Sequence, residues 1–117
     1  MTNPNFPLPL ILIPVPGEKG FTGKPIYRLG GDFRWRGVLV PGGFKTDLAS
    51  VPGSMNEKGY QKAAVIHDYL CKEVRKGNGT YAQADRALYD AMRDDGASIL
   101  VANTYWAWVR ARHIVKG

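Results

Sequence analysis

The run YQKAAVIHDYLCKEVRKGNGTYAQADRALYDAMRDDG, residues 60–96, decides the fold, because two helical periods stand on either side of a short glycine break. In its first part Tyr60, Ala63, Ala64, His67, Leu70, Cys71 and Val74 recur at i, i+3, i+4 and i+7 and so share one face. Gly77-Asn78-Gly79 ends that helix. Thr80, with Gln83 three residues on, makes a capping box that starts a second helix. Its inner face reads Tyr81, Ala84, Asp85, Leu88, Ala91 and Met92. So short a connection lays the two helices antiparallel, inner faces together. His67 precedes Val74 by seven residues and Asp85 follows Thr80 by five, which sets both at similar heights along the pair. A hydrogen bond between the His67 ring and the Asp85 carboxylate is therefore expected.

Beyond this run, Gly96 can cap the second helix and Ser98 can start a third, reaching to about His113 with Ala102, Tyr105, Trp106 and Val109 inward. The prolines and nine of the fourteen glycines lie in residues 1–53, so this half should be short strands and loops. Residues 10–13 and 26–29 are β-favouring runs, and residues 33–40 alternate around Trp35, Val38 and Val40. Gly30-Gly31-Asp32 reads as a hairpin turn between the last two. Residues 6–16 read either as an edge strand or as a proline-rich arm that docks on a neighbour, since proline does not sit in a central strand.

The expected fold is α+β: a small antiparallel sheet in the N-terminal half packed on a three-helix C-terminal half. With 117 residues, 44% of them hydrophobic, the chain suits one domain. Within it residues 1–20 are the arm or edge strand, 21–53 the β-rich part and 60–114 the helical part. The formal charge of +6 divides evenly between the halves and reads first as a solubility device; nucleic-acid binding is the alternative. Cys71 stands alone, which excludes an intramolecular disulfide and a thiolate-built zinc site. No stretch approaches the roughly 20 apolar residues of a membrane span, and prolines interrupt the one apolar run near the N-terminus, so no signal peptide is expected. Synthesis in the cytoplasm is the expectation.

Three readings compete for the polar residues. A carboxylate on an imidazole fixes the tautomer and stabilises the imidazolium, so His67 with Asp85 suits a general base and its orienting partner. The plain alternative is a buried pair that satisfies its own polar groups. Asp68 points about 100° away from His67, towards the loop that precedes the helix. In that loop Gly42 and Gly43 permit close backbone approach, while Asp47 and Ser50 supply oxygens. Asp68 with Asp47 would suit a hard cation, Ca2+ or Mg2+. Zinc is disfavoured, because only His67 and His113 are available to it. Ser50 lacks a nucleophile elbow, Cys71 reads as packing, and Trp106, Trp108, Arg110 and Arg112 read as core plus solvated face rather than as a stacking surface.

The blocks VPGGFKTDLASVP (residues 40–52), AAVIHDYL (residues 63–70) and ADRALYDAM (residues 84–92) together resemble the phage- and prophage-associated family called domain of unknown function 1353. The likeness covers residues 26–112, and its diagnostic polar positions fall on Asp47, Ser50, His67, Asp68, Asp85 and Arg86. Cys71-Lys72 and the proline-rich N-terminus depart from the family's pattern. The resemblance implies a viral or prophage origin, with synthesis in the host cytoplasm. More distantly, His67-Asp68 followed by Asp85 on an antiparallel helix is similar to the site of the phospholipase A-two families. That likeness implies His67 as the base that activates water, Asp68 with the Gly42-Gly43 loop on calcium, and Asp85 orienting His67. The function this likeness implies is metal-dependent hydrolysis of an ester or lipid bond; the alternative is a non-enzymatic virion component, tail or neck, contacting other virion proteins through residues 3–16 and the third helix.

Overall fold

A computed structural model describes residues 3–20, 23–48 and 59–116. Among them are β1 (Leu12–Lys19), β2 (Pro25–Leu29), β3 (Phe33–Trp35), β4 (Val38–Val40), β5 (Lys45–Thr46), α1 (Gln61–Arg75), α2 (Tyr81–Asp94) and α3 (Ile99–Lys116). The architecture is α+β, with small antiparallel sheets in the N-terminal half and three helices in the C-terminal half. No described helix is long and apolar enough to cross a membrane.

Helices α2 and α3 begin where side chains satisfy their first amides, whereas α1 starts after Tyr60 without a side-chain cap. Thr80 is extended, at φ −128 and ψ 157, and its side chain accepts from the Gln83 amide while the Gln83 side chain accepts from the Thr80 amide. That reciprocal cap stabilises α2 by about 1 kcal/mol. The Ser98 hydroxyl likewise accepts from the Val101 amide at 3.2 Å and starts α3. At the other end of α2, Gly96 takes φ 97, a left-handed conformation that closes the helix. The ion pair of Lys62 with Asp95, 3.9 Å, lies far along the helix pair from the Gly77–Gly79 turn and fits an antiparallel α1–α2 arrangement. Helix α1 is buried from Ala63 through Asp68 without a break, so it is the central helix rather than a one-faced one.

The strand half differs from its expected pairing. Strand β2 is central in the three-stranded sheet β1-β2-β5, with Leu12 opposite Leu29 and Tyr27 opposite Thr46. Strand β1 lies at the edge, where Pro14 and Pro16 cost no ladder bond on a neighbour, and its register is irregular between Pro14 and Lys19. The Gly30-Gly31-Asp32 segment is not a hairpin turn. It carries the chain from one sheet to the other, while Trp35 pairs with Val38 around a turn at Arg36-Gly37. Arg36 adopts φ 49 there, which its sequence context does not announce. Residues 33–40 are thus two strands of a separate hairpin, not one.

One hydrophobic cluster joins the halves, running from Phe6, Leu29, Phe33, Trp35 and Val40 to Ile66, Leu88, Met92 and Val109. Phe6 stacks on Phe33 at 5.8 Å, and the Asn3 amide donates to the Asp94 main-chain oxygen at 2.7 Å. Trp35 Nε1 donates to the Asp94 carboxylate at 2.8 Å. The proline-rich segment is therefore seated on its own chain's core through Phe6, with Leu8 and Ile11 exposed beside it.

Candidate functional site

Helices α1, α2 and α3 each contribute to one buried polar cluster centred on Asp85. His67 Nε2 stands 2.7 Å from Asp85 Oδ1. His113 Nδ1 stands 2.7 Å from Oδ1 and 2.8 Å from Oδ2. Arg110 donates to Oδ2 at 2.9 Å. His67 and Asp85 have no exposed surface, and His113 retains 9%. Burial alone would raise the Asp85 pKa, but hydrogen bonds from His67 and His113 outweigh it and hold the carboxyl below its ordinary 3.8. The two ring nitrogens and the Arg110 guanidinium together surround both oxygens of the carboxylate.

Cys71 Sγ lies 3.6 Å from His67 Nε2. Burial, together with the negative charges of Asp85 and Asp68, pushes this thiol up to about 12, which fits packing rather than nucleophilic chemistry. The Tyr81 ring stacks on His113 at 4.3 Å. Both, with Arg110, Thr80, Val74, Ala82 and Ile114, line an open groove of about 580 Å³. His67 does not line it, so solvent meets this cluster through His113 and Arg110.

Sequence reasoning placed His67 and Asp85 together but missed His113 and Arg110 as members of the cluster. The signal was present: the α3 stripe of Ala102, Tyr105 and Val109 continues at i+4 to His113, all of them buried. The same placement answers the argument against a nitrogen-rich metal site. The two histidines of the chain converge with Asp85, their donor atoms all within 4.8 Å of one another.

Asp68 faces β5 rather than solvent. It is 5% exposed, the Thr46 hydroxyl hydrogen-bonds its carboxylate, and its Oδ2 has no hydrogen-bond partner among the described residues. Lys72 Nζ is 3.8 Å from that oxygen and donates instead to the Lys45 main-chain oxygen. Burial raises the Asp68 pKa, against the Thr46 hydrogen bond and the Lys72 charge. The negative charge of Asp47 adds to the rise. Asp47 borders a second cavity, about 390 Å³, with Lys24, Tyr27 and Gln61. A Cβ at Gly20 would fall on the Asp47 carboxylate, so glycine is needed where the turn after β1 passes it. Beside Asp47, Leu48 is held at φ 58, a strained conformation for a branched side chain that the surrounding packing maintains.

The remaining candidates lie elsewhere. The Gly42 amide donates to the Asp32 side chain at 2.8 Å and the Gly43 amide to the Leu29 carbonyl at 2.7 Å, so both amides of this turn are taken. Gly42 also packs against the Gly31 backbone, where a Cβ would stand 3.2 Å from a main-chain carbon. Arg86 points outward, ion-paired with Asp90 at 3.4 Å and lying over the Tyr89 ring. It follows Asp85 in sequence but does not reach the cluster, because one residue along a helix turns the side chain by about 100°. Ser50 lies outside the described residues.

A family model described as a protein of unknown function, DUF1353, matches residues 27–109. Two uncharacterised proteins of Sinorhizobium fredii (strain NBRC 101917 / NGR234) are similar to the chain. The one named y4jT is 34% identical over 97 residues, covering 72% of this chain and 28% of its own. The one named y4iH is 37% identical over 86 residues, covering 62% of this chain and 34% of its own. The chain thus matches about a third or less of the length of these relatives. No solved structure matches it.

Proposed function

The chain belongs to the DUF1353 family, and from that premise we propose that it is a hydrolase-like protein that cleaves an ester bond, with His67 as base and a hard divalent cation beside it. The observation that carries the reading is the buried Asp68 oxygen with no hydrogen-bond partner among the described residues, one residue from the histidine that Asp85 holds. A buried carboxylate in that state costs free energy that a bound cation returns. Asp68 fits the ion's oxygen preference, and Asp47, whose charge already acts on Asp68, is the second residue that would hold it. Bound Ca2+ or Mg2+ would stabilise negative charge on the substrate.

The chain's own groups do the rest. With Asp85 on His67 Nε2, the carboxylate would orient the ring and steady the imidazolium formed when His67 takes a proton. His67 has no exposed surface, so water reaches it only through a local opening of the structure. The viral or prophage setting, the lipid-like ester as substrate and the phospholipase-like division of roles belong to this proposal. The two amides of the Gly42-Gly43 turn are outside it, since the Asp32 side chain and the Leu29 carbonyl take them.

The test measures melting temperature with and without Ca2+ or Mg2+, and hydrolysis of short-chain and phospholipid esters. The cation should raise the melting temperature, and Asp68→Asn should remove that response and lower hydrolysis at least about a hundredfold while the protein stays folded. No response to either cation, with no hydrolysis by the wild type, rules the reading out.

A second reading has its own observations. A sealed, fully satisfied Asp85 staples three helices, and α3 exposes Ile99, Leu100, Trp108 and Ile114, the barest of them at 77%. An exposed apolar face of this kind suits assembly with other virion proteins, through α3 and the segment at residues 3–16. Particles assembled with Leu100→Glu protein decide it: normal incorporation excludes α3 as the contact.

A further inference from the structure

We infer that His67, Asp85 and His113 form a second, separate metal centre, selective for a borderline transition ion of the zinc class and tying the three helices together. Each helix supplies one ligand: Nε2 from α1, a carboxylate oxygen from α2 and Nδ1 from α3. Asp85 Oδ1 is 2.7 Å from both ring nitrogens, so three donors already converge on one point in the core. Two imidazole nitrogens and one carboxylate suit zinc, cobalt or nickel, whereas calcium and magnesium select oxygen.

On loading, each ring turns the lone pair of its inward nitrogen to the ion and carries a single proton on its other nitrogen, any further proton passing to solvent. Arg110 stays on Oδ2 and orients the carboxylate from outside, as second partners of ligating carboxylates do. Ligands about 2.0–2.1 Å from zinc stand roughly 3.3 Å apart in a tetrahedron, so each ring nitrogen moves from Asp85 Oδ1 by about half an ångström, while the two ring nitrogens already lie within 4.8 Å of each other. The groove lined by His113 and Arg110 provides the route from solvent and a place for the remaining ligand, water.

This centre is independent of the hard-cation layer at Asp68. It also competes with the hydrolytic arrangement, because the ion takes the Asp85 oxygen that His67 uses. Zinc is accordingly an inhibitor of any ester hydrolysis.

The chain has two histidines, so its ring nitrogens can be followed individually by nitrogen-15 NMR. One equivalent of Zn2+ should shift Nε2 of His67 and Nδ1 of His113 together. Zinc at about 100 times its dissociation constant should raise the melting temperature by roughly 10 °C. Co2+ should give the visible absorption of a tetrahedral site, retained in Asp68→Asn and lost in His113→Ala. Unchanged ring signals in the wild type overturn the inference, even if His113→Ala fails to fold. So does a cobalt spectrum that survives His113→Ala or disappears in Asp68→Asn. Absence of esterase activity leaves every one of these readouts in place, so failure of the hydrolytic proposal is distinguishable from failure of this one.

Discussion

Asp85 and Asp68 are both buried carboxylates within reach of the same helix, yet one is saturated and the other is not. Asp85 takes contacts from His67, His113 and Arg110, and its pKa is lowered. Asp68 has the Thr46 hydroxyl, an ion pair with Lys72 at 3.8 Å, one oxygen with no hydrogen bond among the described residues, and a raised pKa. Burial acts on both in the same direction. The difference lies in what the neighbours can supply: α1 and α3 bring two ring nitrogens and a guanidinium within hydrogen-bond distance of Asp85, whereas Asp68 has one hydroxyl from a two-residue strand and an ammonium 3.8 Å away. A saturated carboxylate stabilises the fold as it stands and takes an ion only by giving up contacts it already has, whereas an unsaturated one can add a ligand without losing any.

The sharpest way to break this contrast is to remove each acid in turn. Asp85→Ala leaves Arg110 and two imidazoles without their buried partner and should cost about 3–5 kcal/mol, read by urea denaturation. A loss below about 1 kcal/mol would mean the cluster carries little of the fold. Asp68→Asn should do the opposite at neutral pH in the absence of cations, gaining about 1 kcal/mol by removing a poorly compensated buried charge.

The pH dependence sharpens the same point, because the two signs differ. A folded pKa below the unfolded value means that the contribution of Asp85 is present above about pH 4 and is lost as pH falls through the lowered folded value. For Asp68 the folded value is raised, so its relative contribution is full below the unfolded value and declines as pH rises through the folded one. The gain from Asp68→Asn should therefore vanish in acid, and a gain that persists at pH 3 would contradict the assignment. The smallest effect concerns Cys71, whose thiol feels Asp68 at a distance. Asp68→Asn should speed its reaction with a disulfide reagent by roughly twofold at fixed pH.

How much of this was legible in the sequence varied with the range of the interaction. His67 and Asp85 could be paired from helical spacing and one short turn. His113 and Arg110 were equally regular in spacing, but the α3 stripe had been followed only as far as Val109, and the helix runs to Lys116. The side of α1 that Asp68 occupies could be read; its burial could not, because helix α1 is enclosed by strands as well as helices. Gly30-Gly31-Asp32 has the composition of a hairpin turn, yet the strand that pairs with β2 comes from residues 12–19 on one side and 45–46 on the other.

The sequence by itself determined the helices, their caps and their antiparallel pairing, since each rests on groups within a few residues of one another. Tertiary structure alone decided which strands pair, that the proline-rich segment forms the edge of a sheet, and that a second histidine and an arginine complete the environment of Asp85. The contacts of Arg110 and His113 with Asp85 join residues 25 or more positions apart, and strand pairs such as Leu12 with Leu29 also lie beyond any local period. Their geometry is settled only when the shared core closes and each buried polar atom finds a hydrogen-bond partner or, like the Asp68 oxygen, none among the described residues.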